Sequence, residues 1–348
     1  MNSKLPSSSL SSVREITGVS LESIDFAGLI QEGSPVILKG VFSNQALVLA
    51  GKKSASAARQ HLKQYHSGHD IVTFVAPAEA KGRFFYNDGM SGFNFKSDET
   101  PLSVFFEKLE REEGAKNPEA CYAGSTDLPT FFPNMIEGDD LSLPGEVFKA
   151  SKPITSIWIG NRTTAATHYD MSNNVAACMV GRRRFTLFPP DQIENLYPGP
   201  IFPTPAGQVV SMVDLNAPDF KRYPKFKHAL AKAQIAELEP GDLLVYPAMW
   251  WHQVEALDSF NILINYWWNE AKPHMDSPMN LVLYGMLTLR DRPMAEKEAW
   301  KHVFNYYVFG DGTLPAEHLP QHIQGPLAEM DTARARRLRM EIIKKINR

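Results

Sequence analysis

The chain has 348 residues, of which 43% are hydrophobic, and a formal net charge of −3 at pH 7. This composition predicts a substantial core and argues against nucleic-acid binding by the whole surface, which needs clustered excess Lys and Arg, and against a membrane span, which needs roughly 20 apolar residues in a row. Only Cys121 and Cys178 occur and the N-terminus has no signal-peptide pattern, so we expect no disulfide framework and a reduced, cytoplasmic location.

The N-terminal part of the chain predicts a tail followed by a mixed α/β region. Residues 1–15 are Ser-rich and mostly polar, which predicts a flexible tail. The region 16–119 alternates β-branched runs with segments of helical periodicity, so we expect an N-terminal α/β extension. Its predicted elements are strands at 34–40 and 70–75 and helices at 43–51, 55–66 and 102–113.

Residues 120–272 have a different pattern, in which short apolar strands are separated by Gly and Pro. Closely spaced strands of this kind predict a β-sandwich or barrel, so we expect this region to be the core of a mainly β fold. Between two of its strands, residues 197–227 form a long loop rich in Pro and aromatic residues. Long loops in compact domains are often functional, and we expect this one to form one wall of a cleft.

Within this β region, His168 and Asp170 form the first half of a predicted metal site. They stand two residues apart in a strand, so their side chains point the same way, about 7 Å from one another. His252 follows 84 residues later in a second apolar, aromatic run. Two imidazoles and one carboxylate leave three metal positions open, as in non-haem Fe(II) oxygenases. A hydrogen-bonded core histidine is the simplest alternative, and a structural zinc site is disfavoured because it uses four protein ligands.

The pattern beyond residue 273 predicts helices. Residues 281–289 are apolar nearly all round, and residues 300–308 carry an apolar face. Apolar surface of this kind must be buried, and packing on the β core is the simplest account. The last helix, 331–348, has seven basic residues against two acidic ones. This is usual for a solvated face, and it also suits contact with RNA or another acidic partner.

Several segments in a fixed order resemble one family. They are Ile157-Trp-Ile-Gly160, His168-Tyr-Asp170, Gly181-Arg-Arg-Arg-Phe-Thr-Leu-Phe-Pro-Pro-Asp191, Leu196-Tyr-Pro198, Pro240-Gly-Asp-Leu-Leu-Val-Tyr-Pro247, Trp250-Trp-His252 and Asn265-Tyr-Trp267. With this order and spacing, the chain resembles the cupin-type JmjC oxygenases, which include an asparaginyl hydroxylase. The resemblance is good over about 120–270 and looser before it. It implies a double-stranded β-helix (jelly-roll) core, and a homodimer formed by interlocked helices in residues 273–348.

The resemblance also implies the reaction. Members of this family bind Fe(II), 2-oxoglutarate and O2, and couple decarboxylation of 2-oxoglutarate to succinate and carbon dioxide with hydroxylation of an unactivated carbon. We therefore expect a dioxygenase that acts on a protein side chain or a small molecule. N-methyl demethylation and tRNA-base hydroxylation occur on similar folds. Outside enzymes, the alternative is a non-catalytic cupin that binds a sugar, an amino acid or a protein.

Residue by residue, the resemblance makes His168, Asp170 and His252 the iron ligands. Arg183 stands fifteen residues after the first ligand, where the hydroxylase has the lysine that binds the far carboxylate of 2-oxoglutarate. A guanidinium binds carboxylate bidentately, so we expect Arg183 to replace that lysine; the alternatives are a different keto acid, an inactive site or a solvated basic turn. The other residues expected at the cosubstrate pocket are Tyr122, Asn174, Asn265 and, because Ala165 stands where the family has threonine, Thr164 or Thr167.

Overall fold

The structure is a computed structural model that describes residues 10–205 and 207–347. The chain divides into two compact units, Met1–Asn269 and Glu270–Arg348. The first unit contains two β-sheets with helices around them, and the second unit is helical. Among the described residues, no helix is long and apolar enough to cross a membrane.

The β-strands of the first unit form a nine-stranded and a six-stranded sheet in the described part of the chain. These strands are β1 (Ser11–Ser12), β2 (Arg14–Ile16), β3 (Val36–Leu38), β4 (Ile71–Ala76), β5 (Arg83–Phe84), β6 (Lys96–Thr100), β7 (Ala120–Asp127), β8 (Ile154–Gly160), β9 (Thr164–Tyr169), β10 (Asn173–Val180), β11 (Arg183–Phe188), β12 (Gln234–Leu238), β13 (Leu243–Tyr246), β14 (Trp251–Ala256) and β15 (Asn261–Trp268). The larger sheet has the order β2-β3-β13-β10-β15-β8-β7-β4-β6, and the smaller one β1-β12-β11-β14-β9-β5.

Eight consecutive strands, β8 to β15, form the centre of both sheets. The chain changes sheet at every connection among them except the one from β11 to β12. As a result, an antiparallel layer β13-β10-β15-β8 packs against a second antiparallel layer β12-β11-β14-β9. This is a jelly roll, and the predicted mainly β fold with flanking helices is confirmed.

Strands from the N-terminal part extend the larger sheet at both ends. The strand β3 pairs with β13, and β7 pairs with β8. The segments predicted as strands at 34–40 and 70–75 contain β3 and most of β4, so both predictions are confirmed. Residues 11–15, predicted to belong to a flexible tail, instead lie in and between β1 and β2, because Val13 is buried and both strands find partners. Residues 1–9 lie outside the described residues. The division of the chain at 119/120 stays a prediction.

Helices surround the two sheets of the first unit. They are α1 (Phe26–Gln31), α2 (Ala46–Lys53), α3 (Ala55–Tyr65), α4 (Leu102–Glu113), α5 (Leu128–Phe131), α6 (Met135–Gly138), α7 (Glu146–Ala150) and α8 (Phe226–Leu230). The helix α8 packs beside the smaller sheet, with Phe188 and Trp251, whereas α1 to α7 cover the outer face of the larger sheet. Strand alternation separates their core from the space between the sheets. On β8, Ile157 and Ile159 pack with the helices, whereas Trp158 lines a cavity on the other side.

The second unit consists of helices with little apolar burial of their own. They are α9 (Pro278–Thr288), α10 (Met294–Phe304), which continues as a π-helical turn to Phe309, α11 (Leu314–Glu317) and α12 (Thr332–Ile346). These positions confirm the predicted helices at 281–289, 300–308 and 331–348 within a few residues. Large apolar side chains on them are exposed in the single chain: Leu287 is 77% and Phe309 72% accessible.

Candidate functional site

His168, Asp170 and His252 meet at one end of the jelly roll. The strand β9 pairs antiparallel with β14, and the register places His168 opposite His252. The two imidazole rings lie 4.4 Å apart between centroids, and Nε2 of His252 lies 3.6 Å from Oδ2 of Asp170. One ligand atom from each of the three residues lies within 4.8 Å of the others. This donor set, with two nitrogens and one carboxylate oxygen on one side, fits a facial metal site with open positions.

Both histidines are oriented by the same local hydrogen bond. Nδ1 of His168 donates to the backbone carbonyl of Ala166 at 2.8 Å, and Nδ1 of His252 donates to that of Trp250 at 2.9 Å. Each carbonyl can only accept, so the proton is on Nδ1 and the Nε2 lone pair is available to a metal. Burial, helped by the nearby His168, lowers the pKa of His252 to about 4, so the ring is neutral at pH 7, as a ligand must be.

An amide relay holds Asp170. Nδ2 of Asn174 donates to Oδ2 of Asp170 at 3.2 Å, and Nδ2 of Asn265 donates to Oδ1 of Asn174 at 2.7 Å. The pairing of β10 with β15 brings the two asparagines together. The structure therefore places Asn265 in the wall of the cavity and Asn174, which is fully buried, behind the carboxylate rather than in that wall.

The ligand atoms open into a cavity of about 510 Å³ between the two sheets. This is within the usual size of a small-molecule site, roughly 300–1,000 Å³. Its wall is mostly apolar, with Phe74, Phe84, Phe95, Tyr122, Trp158 and Trp267 among the aromatic residues. Pro205 and Gln208 of the long loop also line it, so the prediction that this loop forms one wall is confirmed.

Arg183 is a buried cation in the wall of this cavity. Its side chain is 1% exposed, and its Nε and Nη2 atoms have no hydrogen-bond partner among the described residues. Tyr122 is its neighbour: burial raises the pKa of this phenol, while the charge of Arg183 and a hydrogen bond with it lower that pKa. Arg183 is in none of the ion pairs of the described residues, and a buried charge without such a pair is costly, so the cavity is suited to an anion.

The arginines on either side of Arg183 have ordinary surroundings. Arg182 pairs with Asp258 at 3.0 Å, and Arg184 pairs with Glu237 at 2.7 Å; both pairs lie at the surface. Because side chains alternate along β11, only the middle arginine of the three points inward. The prediction that Arg183 points to the opposite face of the strand from Arg182 and Arg184 is therefore confirmed.

Thr164 does not line the cavity, contrary to the expectation from the sequence. In the pairing of β9 with β14, His168 lies opposite His252 and Ala165 lies opposite Val254. The step between these two pairs is three residues along β9 and only two along β14. This one-residue bulge reverses the alternation, so Ala165 faces the cavity in place of Thr164. Thr167 is also absent from the described cavity wall, and its buried hydroxyl has no described partner.

Tyr246 lies beside the candidate metal ligands, and the sequence did not single it out. Its hydroxyl is 3.5 Å from Nε2 of His252, and its side chain lines the same cavity. Burial, together with the charge of Asp170, raises the pKa of this phenol well above its usual value. Its place follows from the pairing of Tyr246 with Asn174 across β13 and β10, which no local sequence pattern reveals.

Comparison with known proteins agrees with this geometry. Residues 23–274 match the family model described as a cupin-like domain. The chain is 32% identical over 146 residues to lysine-specific demethylase JMJ31 of Arabidopsis thaliana, which covers 40% of this chain and 26% of that protein. It is 34% identical over 185 residues to HSPB1-associated protein 1 of Bos taurus, in an alignment that covers 52% of this chain and 37% of that protein. It is 32% identical over 189 residues to tRNA wybutosine-synthesizing protein 5 of Danio rerio, in an alignment that covers 47% of this chain and 52% of that protein.

These alignments are partial. They span from about a quarter to about half of the length of the relatives. The family match, in contrast, covers well over half of this chain and includes all three candidate ligands, His168, Asp170 and His252.

Proposed function

The chain belongs to the cupin-like, JmjC-type family, and from this premise we propose that it is an Fe(II)- and 2-oxoglutarate-dependent dioxygenase. It hydroxylates an unactivated carbon of a protein side chain or a small molecule and releases succinate and carbon dioxide. One observation carries the proposal: a facial triad and an unpaired buried arginine line the same cavity. The first provides a metal site with open positions and the second a site for an anion.

The charges of the site support 2-oxoglutarate as the anion. Among the described residues that line the cavity, Asp170 is the carboxylate and Arg183 is the guanidinium, and their charges cancel. A divalent metal on the triad then leaves an excess of two positive charges, which the two carboxylates of 2-oxoglutarate neutralise. The planar guanidinium suits the far carboxylate, because it offers paired donors.

Each residue of the site has a defined part in this proposal. His168, Asp170 and His252 hold the metal through Nε2 atoms and a carboxylate oxygen, while Asn174 keeps the carboxylate oriented. When bound, Fe(II) and 2-oxoglutarate supply the oxidising chemistry. The aromatic wall excludes water, which protects a reactive site from side reactions.

The proposal is tested with anaerobic protein. Fe(II) and 2-oxoglutarate added together give a weak visible charge-transfer band if both bind, and screening peptides, amino acids and extracts for succinate release in air identifies the substrate. The His168→Ala protein gives neither signal. Absence of the band in the wild-type protein contradicts the proposed function, and full biological activity of His168→Ala points instead to a binding module without catalysis.

The names of two relatives favour second candidates for the reaction. One is called a lysine-specific demethylase and another a tRNA wybutosine-synthesizing protein. An N-methyl demethylase releases formaldehyde, whereas a hydroxylase leaves the oxygen on its product. For an RNA substrate, the exposed basic residues Arg336, Arg337, Lys344 and Lys345 of α12 offer phosphate contacts. Binding to tRNA then weakens steeply as the salt concentration rises.

We also propose that the chain forms a homodimer through its second unit. The support is the large apolar side chains of α9, α10 and the turn after it that are exposed in the single chain. Large exposed apolar patches usually mark an interface, and these helices carry many such side chains close together in the chain. The dimer and the predicted cytoplasmic location are both open to direct measurement, the first by light scattering and the second by microscopy of a tagged protein.

A further inference from the structure

Tyr246 lines the cavity, and the proposed function gives its phenol no part. It ends the strand β13, is 2% exposed, and its ring lies 5.0 Å from the ring of His252. Its hydroxyl reaches towards Nε2 of His252, the same nitrogen that faces Asp170. A phenol group therefore stands directly beside the proposed metal position.

The direction of this hydrogen bond follows from the other nitrogen of the ring. Nδ1 of His252 donates to the carbonyl of Trp250, so Nε2 can only accept and the Tyr246 hydroxyl must donate. At 3.5 Å the bond is long, and among the described residues this hydroxyl has no other hydrogen-bond partner. A metal and the hydroxyl thus compete for a single lone pair.

We propose that Tyr246 is a positioning residue for the cosubstrate: once a metal occupies Nε2, its hydroxyl donates to the keto-acid carboxylate that chelates the metal. This inference depends on the proposed function. Buried hydroxyl groups in native proteins are hydrogen-bonded, so the released donor needs a new acceptor. Asp170 already accepts from Asn174 and faces the metal. The keto acid brings unpaired anionic oxygens into the cavity that Tyr246 lines, and a bond to a charged acceptor is a strong one.

The ring and the hydroxyl of Tyr246 can be tested separately. The ring packs beside Phe185 and His252, and phenylalanine keeps that packing. Tyr246→Phe therefore removes the donor alone. A matched control is Tyr266→Phe, which also removes a buried phenol. The Tyr266 hydroxyl donates to the carbonyl of Leu141 in the core between the larger sheet and its helices, not in the cavity.

The experiment compares two keto acids under anaerobic conditions. Pyruvate has the chelating keto-acid group of 2-oxoglutarate and lacks the far carboxylate. In the Fe(II) protein, Tyr246→Phe weakens the binding of both compounds by about tenfold, the value of one hydrogen bond to a charged group. Arg183→Ala weakens 2-oxoglutarate and leaves pyruvate unchanged. Fe(II) binding without keto acid stays equal or becomes tighter in Tyr246→Phe, because the competing donor is gone.

The outcomes separate this inference from the function on which it depends. If wild-type protein binds Fe(II) and 2-oxoglutarate but Tyr246→Phe binds both keto acids as tightly, the inference is wrong and the proposed function stands. If Tyr246→Phe loses Fe(II) affinity as much as keto-acid affinity, or if Tyr266→Phe has the same effect, the role of Tyr246 is structural and the inference is again wrong. If wild-type protein binds neither keto acid, both are wrong.

Discussion

The two units of this protein leave opposite kinds of group unsatisfied. In the first unit the unsatisfied groups are polar and buried, and the charged one at the cavity is Arg183: it is 1% exposed, and two of its guanidinium nitrogens have no described partner. In the second unit the unsatisfied groups are apolar and exposed, with Leu287 at 77% and Phe309 at 72%. The first unit buries most of its large apolar side chains in its core clusters, whereas the second buries few of them.

The difference supports the two proposals made above. A buried charge is relieved by a counter-charge that enters the cavity, which favours a small anion as the ligand of the first unit. An exposed apolar face is relieved by another surface large enough to cover it, which favours the proposed dimer interface of the second unit. The proposed ligand site and the proposed interface thus lie where the single chain lacks contacts.

The largest expected effect comes from removing a metal ligand. His168→Ala leaves one imidazole and one carboxylate, so the affinity for Fe(II) falls by more than the roughly 100-fold that outer-shell changes produce. Anaerobic Fe(II) titration measures the loss. His228→Ala, at an exposed histidine of α8, leaves the affinity unchanged. Equal affinity in wild type and His168→Ala removes the metal from the triad and ends the interpretation of the first unit as a metal site.

The next effect tests the unpaired charge. Arg183→Ala leaves the far carboxylate of 2-oxoglutarate without its cation in a buried cavity, which costs on the order of 2 to 5 kcal/mol of binding. Arg183→Lys recovers part of this, because a point charge replaces a planar fork. Fe(II) affinity stays near the wild-type value in both variants.

The neighbouring arginine provides the control for this prediction. Arg182 pairs with Asp258 at the surface, where solvent screens both charges, and it does not line the cavity. Arg182→Ala therefore leaves 2-oxoglutarate binding unchanged. If titration of the anaerobic Fe(II) protein gives Arg182→Ala and Arg183→Ala the same dissociation constant, charge at the cavity wall is not what holds the anion.

Sequence reasoning located the triad and Arg183 only partly by local rules. Strand alternation places His168 beside Asp170 and separates Arg183 from Arg182, whereas the assignment of His252, 84 residues further on, and of Arg183 as the anion-binding residue came from the resemblance to a known family. The expectation that Thr164 or Thr167 replaces the family's threonine was wrong, because a bulge of one extra residue in β9 places Ala165 in the cavity wall and leaves both threonines out of it. A bulge is a property of two paired strands, so one strand read alone does not reveal it.

The remaining differences have the same physical origin. Tyr246 escaped notice because its neighbour Asn174 lies on another strand, about seventy residues earlier in the chain. Residues 11–15 have the composition of a tail, yet β12 and β3 offer them edges to pair with and Val13 is buried. Composition describes a segment, whereas its partner in the sheet decides whether it is ordered.

A smaller effect tests the apolar face of the second unit. Leu287→Arg or Phe309→Arg places a charge in the proposed interface and weakens dimerisation by at least about 2 kcal/mol, as expected for a central interface residue. Light scattering over a range of concentrations measures the shift. The control is Val104→Arg, at a 48% exposed apolar position on α4 of the first unit. A monomeric wild-type chain, or dimers of equal stability in all three variants, contradicts the proposed interface.

The smallest effect is expected at a buried polar group whose hydrogen bonds are satisfied. Asn174→Ala removes the amide that holds Oδ2 of Asp170 and ends the relay from Asn265, but all three metal ligands remain. Fe(II) affinity therefore falls by about tenfold, at the low end for an outer-shell residue, and the variant loses less than Arg183→Ala loses in 2-oxoglutarate binding. Anaerobic titrations of both variants give this order directly. A larger loss in Asn174→Ala than in Arg183→Ala would mean that the satisfied relay, rather than the unpaired charge, dominates the site, and the contrast between the two units would lose its first half.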